Sequence, residues 1–120
     1  MTKDLDRFTV QATDTIRTAM VKITENRYRA VVVLDRDKVV GTVSDGDIRR
    51  AFLKEVLPMA PVEQIMNINC LTTTERNPER QTAIIQKERI TLLPVVDAKN
   101  DLVDIVVAYE SFPRGSKQEK

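Results

Sequence analysis

An internal repeat constrains the fold of this chain more than any other feature of its sequence. The tripeptide Val-Leu-Asp at 33–35 recurs as Val-Val-Asp at 95–97, a spacing of 62 residues, and Arg27 recurs as Arg89 at the same spacing. Each half has about 60 residues, which is too few to bury a good hydrophobic core alone. The repeat therefore predicts two similar units that pack with pseudo-twofold symmetry and share one core.

The hydrophobic pattern of the first half predicts a helix, two strands and a second helix. A helix capped by residues 13–15 should end near Asn26, because its apolar residues recur on one helical face. These residues are Ile16, Ala19, Met20 and Ile23. Val-rich stretches at 30–34 and 39–43 predict two strands joined by a polar turn. The helix that follows Asp47 should bury four apolar residues, Ile48, Ala51, Phe52 and Leu53.

The second half repeats this order. Pro58 and Pro61 interrupt the chain between the halves, and Asn77 begins a helix that carries three apolar residues, Ala83, Ile84 and Ile85. Strands at 90–96 and 102–108 flank a polar turn, and a last helix begins at Glu110. We therefore predict a first unit at 1–60 and a second at 61–113. Residues 114–120 are polar and without periodicity, which is typical of a tail or the start of a linker.

Composition excludes several classes of function. The net charge is +1, with 42% hydrophobic and 31% charged residues, so neither disorder nor a nucleic-acid partner is expected. A single cysteine and no histidine argue against a disulfide framework, a zinc site and the commonest general base. No apolar run is long enough to span a membrane, and the first residues do not resemble a signal peptide. We expect a cytoplasmic protein that binds no metal and is not an enzyme.

The corner between the second strand and the second helix carries the clearest candidate site. Ser44 ends an apolar strand, an Asp-Gly pair follows, and Asp47 lies in the first turn of the helix. A carboxylate can accept hydrogen bonds from both hydroxyls of a ribose, and the helix start suits a phosphate. Taken alone, however, these residue types are explained by ordinary capping and turn chemistry. A calcium site is rejected because further oxygen ligands do not follow at the required spacing.

The repeated order of elements, together with two short motifs, resembles a tandem pair of CBS domains, the module named after cystathionine β-synthase. The motifs are Gly-Thr-Val-Ser-Asp-Gly-Asp at 41–47 and Leu-Pro-Val-Val-Asp at 93–97. The resemblance implies an α/β (α+β) module of two βαββα repeats. The segment at 43–50 is also similar to CBS pairs joined to sugar-phosphate nucleotidyltransferases, although the Gly-rich phosphate loop of such an enzyme is absent. The chain would be a free-standing relative or a regulatory piece of a longer protein.

This resemblance implies that the cleft between the repeats binds an adenosine nucleotide as a regulatory ligand. AMP, ADP or ATP is expected, and S-adenosylmethionine is less favoured. The ribose would be held by Ser44 and Asp47, with Thr42 on the preceding strand also in the site, and a phosphate would be met by Arg29. Five residues would lie along the base, namely Met66, Asn67, Cys70, Ile90 and Thr91.

The second repeat departs from this pattern at the positions equivalent to the proposed ribose-binding residues. Gly41, Ser44 and Asp47 are replaced there by Asp104, Val107 and Glu110, so the hydroxyl is missing and the carboxylate has a longer arm. Losing one hydrogen bond costs about 1 kcal/mol, or several-fold in affinity. We therefore expect one good site and one weak or vacant site. Val10 and Tyr28 would line the weak cleft, although a packing role without a ligand explains them slightly better.

Several readings stay open at the level of sequence. The pair could instead be a purely structural homodimerisation module, with Phe52, Leu53 and Phe112 at its interface. A dimer is expected in either case, and a nucleotidyltransferase domain is a possible partner. Arg49 and Arg50 could attract phosphate, but a solvated face or an oligomer contact explains them better. Cys70 is predicted to lie in an entry strand of the second half, among Ile68, Asn69 and Leu71, where it is best explained as a small packed residue. The sequence does not say which nucleotide is preferred.

Overall fold

A computed structural model describes residues 4–108, which form three α-helices and two β-sheets. The first half contains β1 (Thr9–Gln11), α1 (Ile16–Asn26), β2 (Ala30–Asp35), β3 (Lys38–Ser44) and α2 (Asp45–Leu53). The second half contains α3 (Pro78–Glu88), β4 (Leu92–Val96) and β5 (Leu102–Val107). Short 3-10 helices lie at Leu5–Phe8 and Val62–Gln64. The mixed α/β fold is as predicted, whereas the helix expected at Glu110, with Phe112, and the tail lie outside the described residues.

The first sheet has the order β1-β2-β3, with β1 parallel and β3 antiparallel to β2. Every residue of β2 except the last is buried, because helices and the other half cover both of its faces.

Helix α1 begins as capping chemistry predicts, because the side chain of Thr15 accepts a hydrogen bond from the N–H of Thr18. Met20 was expected in the core, but it is 37% exposed because α1 packs through a narrower stripe. That stripe is Ile16, Ala19 and Ile23.

Helix α2 also buries less than its sequence suggested. Ile48 and Ala51 face the core, whereas Phe52 is 36% exposed and Leu53 is 79% exposed. The helix has nine residues, and its last turn carries both of these side chains. Leu53 points about 100° further around the helix than Phe52, so it faces away from the sheet. The prediction that both residues belong to the core was therefore wrong.

The second half contains the expected helix and hairpin, with different details. Asn77 caps α3, but the buried face of this helix is Gln81 and Ile85, while Ala83 is exposed and Ile84 only half-buried. Gln81 is tolerated there because its amide donates to the backbone oxygen of Glu75 at 2.7 Å. The strand expected to start at residue 90 starts at Leu92.

Cys70 was predicted to lie in the first strand of the second half, and this prediction was wrong. The chain turns at residues 68 and 69, where the side chain of Asn67 accepts from the N–H of Asn69 at 3.0 Å. This local hydrogen bond favours a turn over an extended ladder. The position equivalent to β1 is occupied by a single parallel bridge between Thr73 and Val95.

The repeat detected in the sequence is visible in the backbone. Arg27 and Arg89 follow α1 and α3 as left-handed caps, with φ of 68° and 57°. The strand registers also correspond, because Ser44 lies opposite Ala30 in the first hairpin and Val107 lies opposite Leu92 in the second. Leu92 follows Ala30 by the repeat spacing of 62 residues. Ser44 and Val107 are therefore equivalent positions.

The two halves share a hydrophobic core cluster, as the repeat predicted, while a second cluster is formed by residues of the first half together with Val62. One buried cluster takes residues from both halves, namely Phe8, Ala30, Val32, Leu34, Val39, Leu92, Val96, Ile105 and Val107. The two hairpin turns meet at one end of the sheets. There the N–H of Val39 donates to the oxygen of Asn100 at 3.1 Å, and that of Leu102 donates to the oxygen of Asp37 at 2.9 Å. The domain limits at 60 and 113 stay a prediction.

Candidate functional site

A cleft of about 520 Å³ lies at the end of the sheets opposite the two hairpin turns. Both halves line it, because the starts of β2 and β4 and the end of β3 all meet there. Its volume is within the range of about 300–1,000 Å³ that is typical of small-molecule sites. Seven of the predicted site residues line this cleft, namely Arg29, Thr42, Ser44, Asp47, Asn67, Ile90 and Thr91.

Met66 and Cys70, the other two predicted site residues, lie elsewhere. Met66 lines a smaller adjoining cavity of about 250 Å³, which shares Asp47 and Arg50 with the cleft. Cys70 packs at the edge of the shared core, and burial raises the pKa of its thiol above the ordinary 9.0. A less acidic, half-buried thiol has little thiolate at neutral pH, which fits a packing role.

Ser44 and Asp47 form a capping box at the start of α2. The Ser44 hydroxyl oxygen accepts from the N–H of Asp47 at 3.2 Å. Asp47 Oδ2 accepts from both the N–H and the hydroxyl of Ser44, at 2.9 and 3.0 Å. The capping interpretation of these residues is thus realised. The capping box leaves acceptor positions of the Asp47 carboxylate unused, because its two oxygens offer about four.

The second oxygen of Asp47 is paired with a residue one turn along the same helix. Arg50 Nη2 donates to Asp47 Oδ1 at 2.9 Å, and the Arg50 side chain is 65% exposed. The guanidinium folds back over the first turn of α2, which Gly46 permits because a Cβ there would lie 3.2 Å from Arg50 Nη1. An exposed ion pair of this kind contributes only about 0–1 kcal/mol, so a ligand hydroxyl can replace Arg50 at Asp47.

Asn67 reaches the cleft by pairing with the edge of the first sheet. The N–H of Thr42 donates to the backbone oxygen of Asn67 at 3.2 Å. The N–H of Asn67 donates in return to the backbone oxygen of Thr42 at 2.8 Å. Gly41 makes the approach possible, because a Cβ there would lie 2.9 Å from Met66 Sδ and 3.0 Å from the oxygen of Asn67. This role of Gly41 was not predicted from the sequence, although a glycine inside a strand often marks such a close approach.

The second half contributes Arg89, Ile90 and Thr91 to the cleft. The Thr91 hydroxyl donates to the backbone oxygen of Tyr28 at 2.9 Å and so joins the two halves beside the cleft. Arg29 is held in the left-handed region at φ 68°, where its backbone oxygen accepts from the N–H of Asp45. Arg89 was not predicted as a site residue, since sequence analysis identified it only as the repeat partner of Arg27.

The equivalent position in the second repeat is built differently. Val107 replaces Ser44 and is 8% exposed within the shared core, and Asp104 lies opposite Val95 where Gly41 lies opposite Val33. The hydroxyl of the first site therefore has no counterpart, while Glu110 lies outside residues 4–108. Val10 is 3% exposed in the core.

Tyr28, the other residue expected at the weak cleft, packs beside the ring of Phe8 at 5.8 Å. Within the described part of the chain, no helix is long and apolar enough to cross a membrane. Nor do residues 4–108 contain a group of three or more histidine, cysteine, aspartate or glutamate side chains that could hold a metal ion.

Comparison with known proteins identifies the fold. Residues 1–54 match the CBS domain family. A CBS domain protein from Pyrobaculum aerophilum, solved in complex with AMP, superposes with a TM-score of 0.71 at 21% identity, over 90% of this chain and 86% of that one. The chain has the fold of a CBS domain pair.

Two further comparisons extend this result. The CBS domain pair of protein MJ0100, in complex with 5′-methylthioadenosine and S-adenosyl-L-methionine, is 26% identical with a TM-score of 0.67, and the match covers 84% of each chain. Two proteins of Helicobacter pylori, each described as uncharacterized, are 26% identical over 102 residues. This match covers 82% of the present chain but only 31% of theirs.

Proposed function

We propose that the cleft binds an adenosine nucleotide, AMP, ADP or ATP, and that binding regulates a fused or partner catalytic domain. The observation that carries this proposal is the convergence, in one cleft, of an acid and a hydroxyl on the first half with Ile90 and Thr91 of the second half. Solved relatives of the same fold hold AMP in one case, and 5′-methylthioadenosine with S-adenosyl-L-methionine in another.

In this proposal each part of the nucleotide meets a different part of the cleft. The ribose hydroxyls would donate to Asp47, with Arg50 giving up its place at Oδ1. The base would lie between Asn67 on the first sheet and Ile90 of the second half, and Thr91 would border it. Because the ligand touches both halves, it would favour the arrangement in which they are closed, and this preference is what a regulatory module passes to its partner.

Calorimetry on two matched variants tests the proposal. Asp47→Asn removes a charge in the cleft, and Asp37→Asn removes the same charge in the first hairpin turn at the opposite end of the sheet. We expect adenosine nucleotides to bind the wild type and the Asp37→Asn variant equally, and the Asp47→Asn variant about tenfold more weakly. Absence of heat from AMP, ADP, ATP and S-adenosylmethionine with folded wild type would remove the proposal.

Homodimerisation is the second candidate function. It is favoured by apolar side chains left exposed on two helices of the first half, namely Met20 and Val21 on α1 and Phe52 and Leu53 on α2. Light scattering with and without nucleotide distinguishes the candidates, because a purely structural dimer would ignore the ligand. The two functions are compatible. An association with a nucleotidyltransferase and a cytoplasmic location also stay predictions.

A further inference from the structure

The cleft collects more positive charge than its own structure neutralises. Four arginines line it, namely Arg29, Arg49, Arg50 and Arg89, against two acids, Asp45 and Asp47. The whole chain has a net charge of only +1, so this excess is local. Like charges gathered in one cleft repel one another and raise its affinity for anions.

Within the described residues, three of these arginines have guanidinium groups without a partner. Arg50 pairs with Asp47, but within residues 4–108 the Arg29, Arg49 and Arg89 side chains form neither a salt bridge nor a hydrogen bond. They come from separate segments: Arg29 precedes β2, Arg49 lies on α2, and Arg89 precedes Leu92 in the other half. Donors that approach from several directions can surround an extended anion, whereas one phosphate group is met by one or two guanidinium forks.

We infer that this cleft selects adenosine nucleotides by the length of their phosphate chain and prefers ATP or ADP to AMP. The inference rests on the proposed function, since it names the ligand of the same site. Once the ribose has displaced Arg50 from Asp47, all four guanidinium groups face the ligand, and each added phosphate supplies negative charge and further acceptor oxygens.

The same arrangement disfavours ligands that carry positive charge. S-adenosylmethionine has a sulfonium where a nucleotide has its first phosphate, so its cation would lie among the arginines. 5′-Methylthioadenosine is neutral there and would leave the guanidinium groups unneutralised. A preference for phosphate chains would therefore distinguish this chain from the pair of protein MJ0100, whose structure holds both of these ligands.

The test is a calorimetric series with adenosine, AMP, ADP, ATP and S-adenosylmethionine in buffer without divalent cations. We expect the affinity to rise about five- to tenfold with each phosphate after the first, and this rise to shrink at high salt because the arginines are exposed. An Arg49→Gln, Arg89→Gln double variant should bind AMP and ATP with nearly equal affinity. Arg36→Gln is the matched control, because Arg36 is an exposed arginine in the first hairpin turn, at the opposite end of β2.

The outcomes separate the two proposals. If AMP binds the wild type as tightly as ATP, or if the double variant keeps the full preference for ATP, the inference is overturned and the proposed function stands. If adenosine and all of the nucleotides fail to bind, the proposed function itself falls. The double variant changes only exposed side chains, and the salt dependence of ATP binding to the wild type gives an independent measurement that needs no variant.

Discussion

Replacing Gly41 by alanine should both destabilise the protein and damage the cleft. The new Cβ would lie 2.9 Å from Met66 Sδ and 3.0 Å from the backbone oxygen of Asn67. The sulfur belongs to a flexible side chain and can move. The oxygen cannot move without stretching the two hydrogen bonds between Asn67 and Thr42, now 3.2 and 2.8 Å.

The size of this effect follows from two opposing contributions. Overpacking costs about 1–3 kcal/mol, and weakening the two hydrogen bonds adds up to about 1 kcal/mol. Against this, alanine gains about 0.5–1 kcal/mol over glycine, because Gly41 does not have a positive φ and alanine restricts the unfolded chain. The net loss should be about 2 kcal/mol. For a chain of 120 residues this lowers Tm by about 5–10 °C.

Gly46→Ala is the matched control for this experiment. A Cβ at Gly46 would meet only the guanidinium of Arg50, at 3.2 Å and beyond, and that exposed group can swing away. Since Gly46 lies within α2, alanine should be neutral or stabilising by up to about 1 kcal/mol. Urea denaturation measures both variants. If Gly41→Ala proves as stable as Gly46→Ala, the close approach of residues 66 and 67 to β3 does not require glycine at position 41.

Three further predictions concern the cap, the second hairpin and the exposed face of α2. Ser44→Ala should cost about 1 kcal/mol in thermal denaturation through loss of the capping box, and a change no larger than that of an exposed surface substitution would contradict this. Hydrogen bonds from the N–H groups of Asp101 and Lys99 hold the pKa of Asp97 below its ordinary 3.8. Its contribution to stability is thus present above about pH 4 and is lost as the pH falls through the lower folded value, so Asp97→Asn should flatten the acid limb of a plot of Tm against pH. If the proposed homodimer uses the exposed face of α2, Leu53→Lys should shift the mass measured by light scattering from dimer to monomer; an unchanged dimer would exclude this face as the interface.

The sequence was sufficient for the local features of the fold. Thr15, Ser44 and Asn77 begin helices because their side chains accept from the N–H groups that follow, and this chemistry lies within three residues. Runs of valine predicted β2, which is buried except for its last residue, and β3, which alternates buried and half-buried positions. The repeat predicted the cluster that both halves share, but not the second cluster, which residues of the first half form together with Val62.

What the sequence could not supply depends on contacts distant along the chain. Periodicity placed Phe52 on the correct helix but gave no measure of how far the sheet extends beneath it. The buried Gln81 is acceptable only because the oxygen of Glu75 is within reach. Arg89 joins the arginines of the first half only once the two halves have packed. Seven of the predicted site residues line the cleft, whereas Met66 lines an adjoining cavity and Cys70 packs at the edge of the shared core. Cys70 was predicted to lie in a strand, but the chain turns just before it, at residues 68 and 69.

The meeting of the two hairpin turns has a mechanical consequence. Main-chain hydrogen bonds, which do not depend on side-chain rotamers, join Val39 to Asn100 and Leu102 to Asp37, and Lys38 adds a contact of 2.7 Å to Asp101. At the opposite end, Thr91 reaches Tyr28 through a side-chain hydroxyl. We therefore expect the two hairpin turns to act as a hinge for any relative motion of the halves. The largest displacement would then occur at the opposite end of the sheets, where the cleft opens.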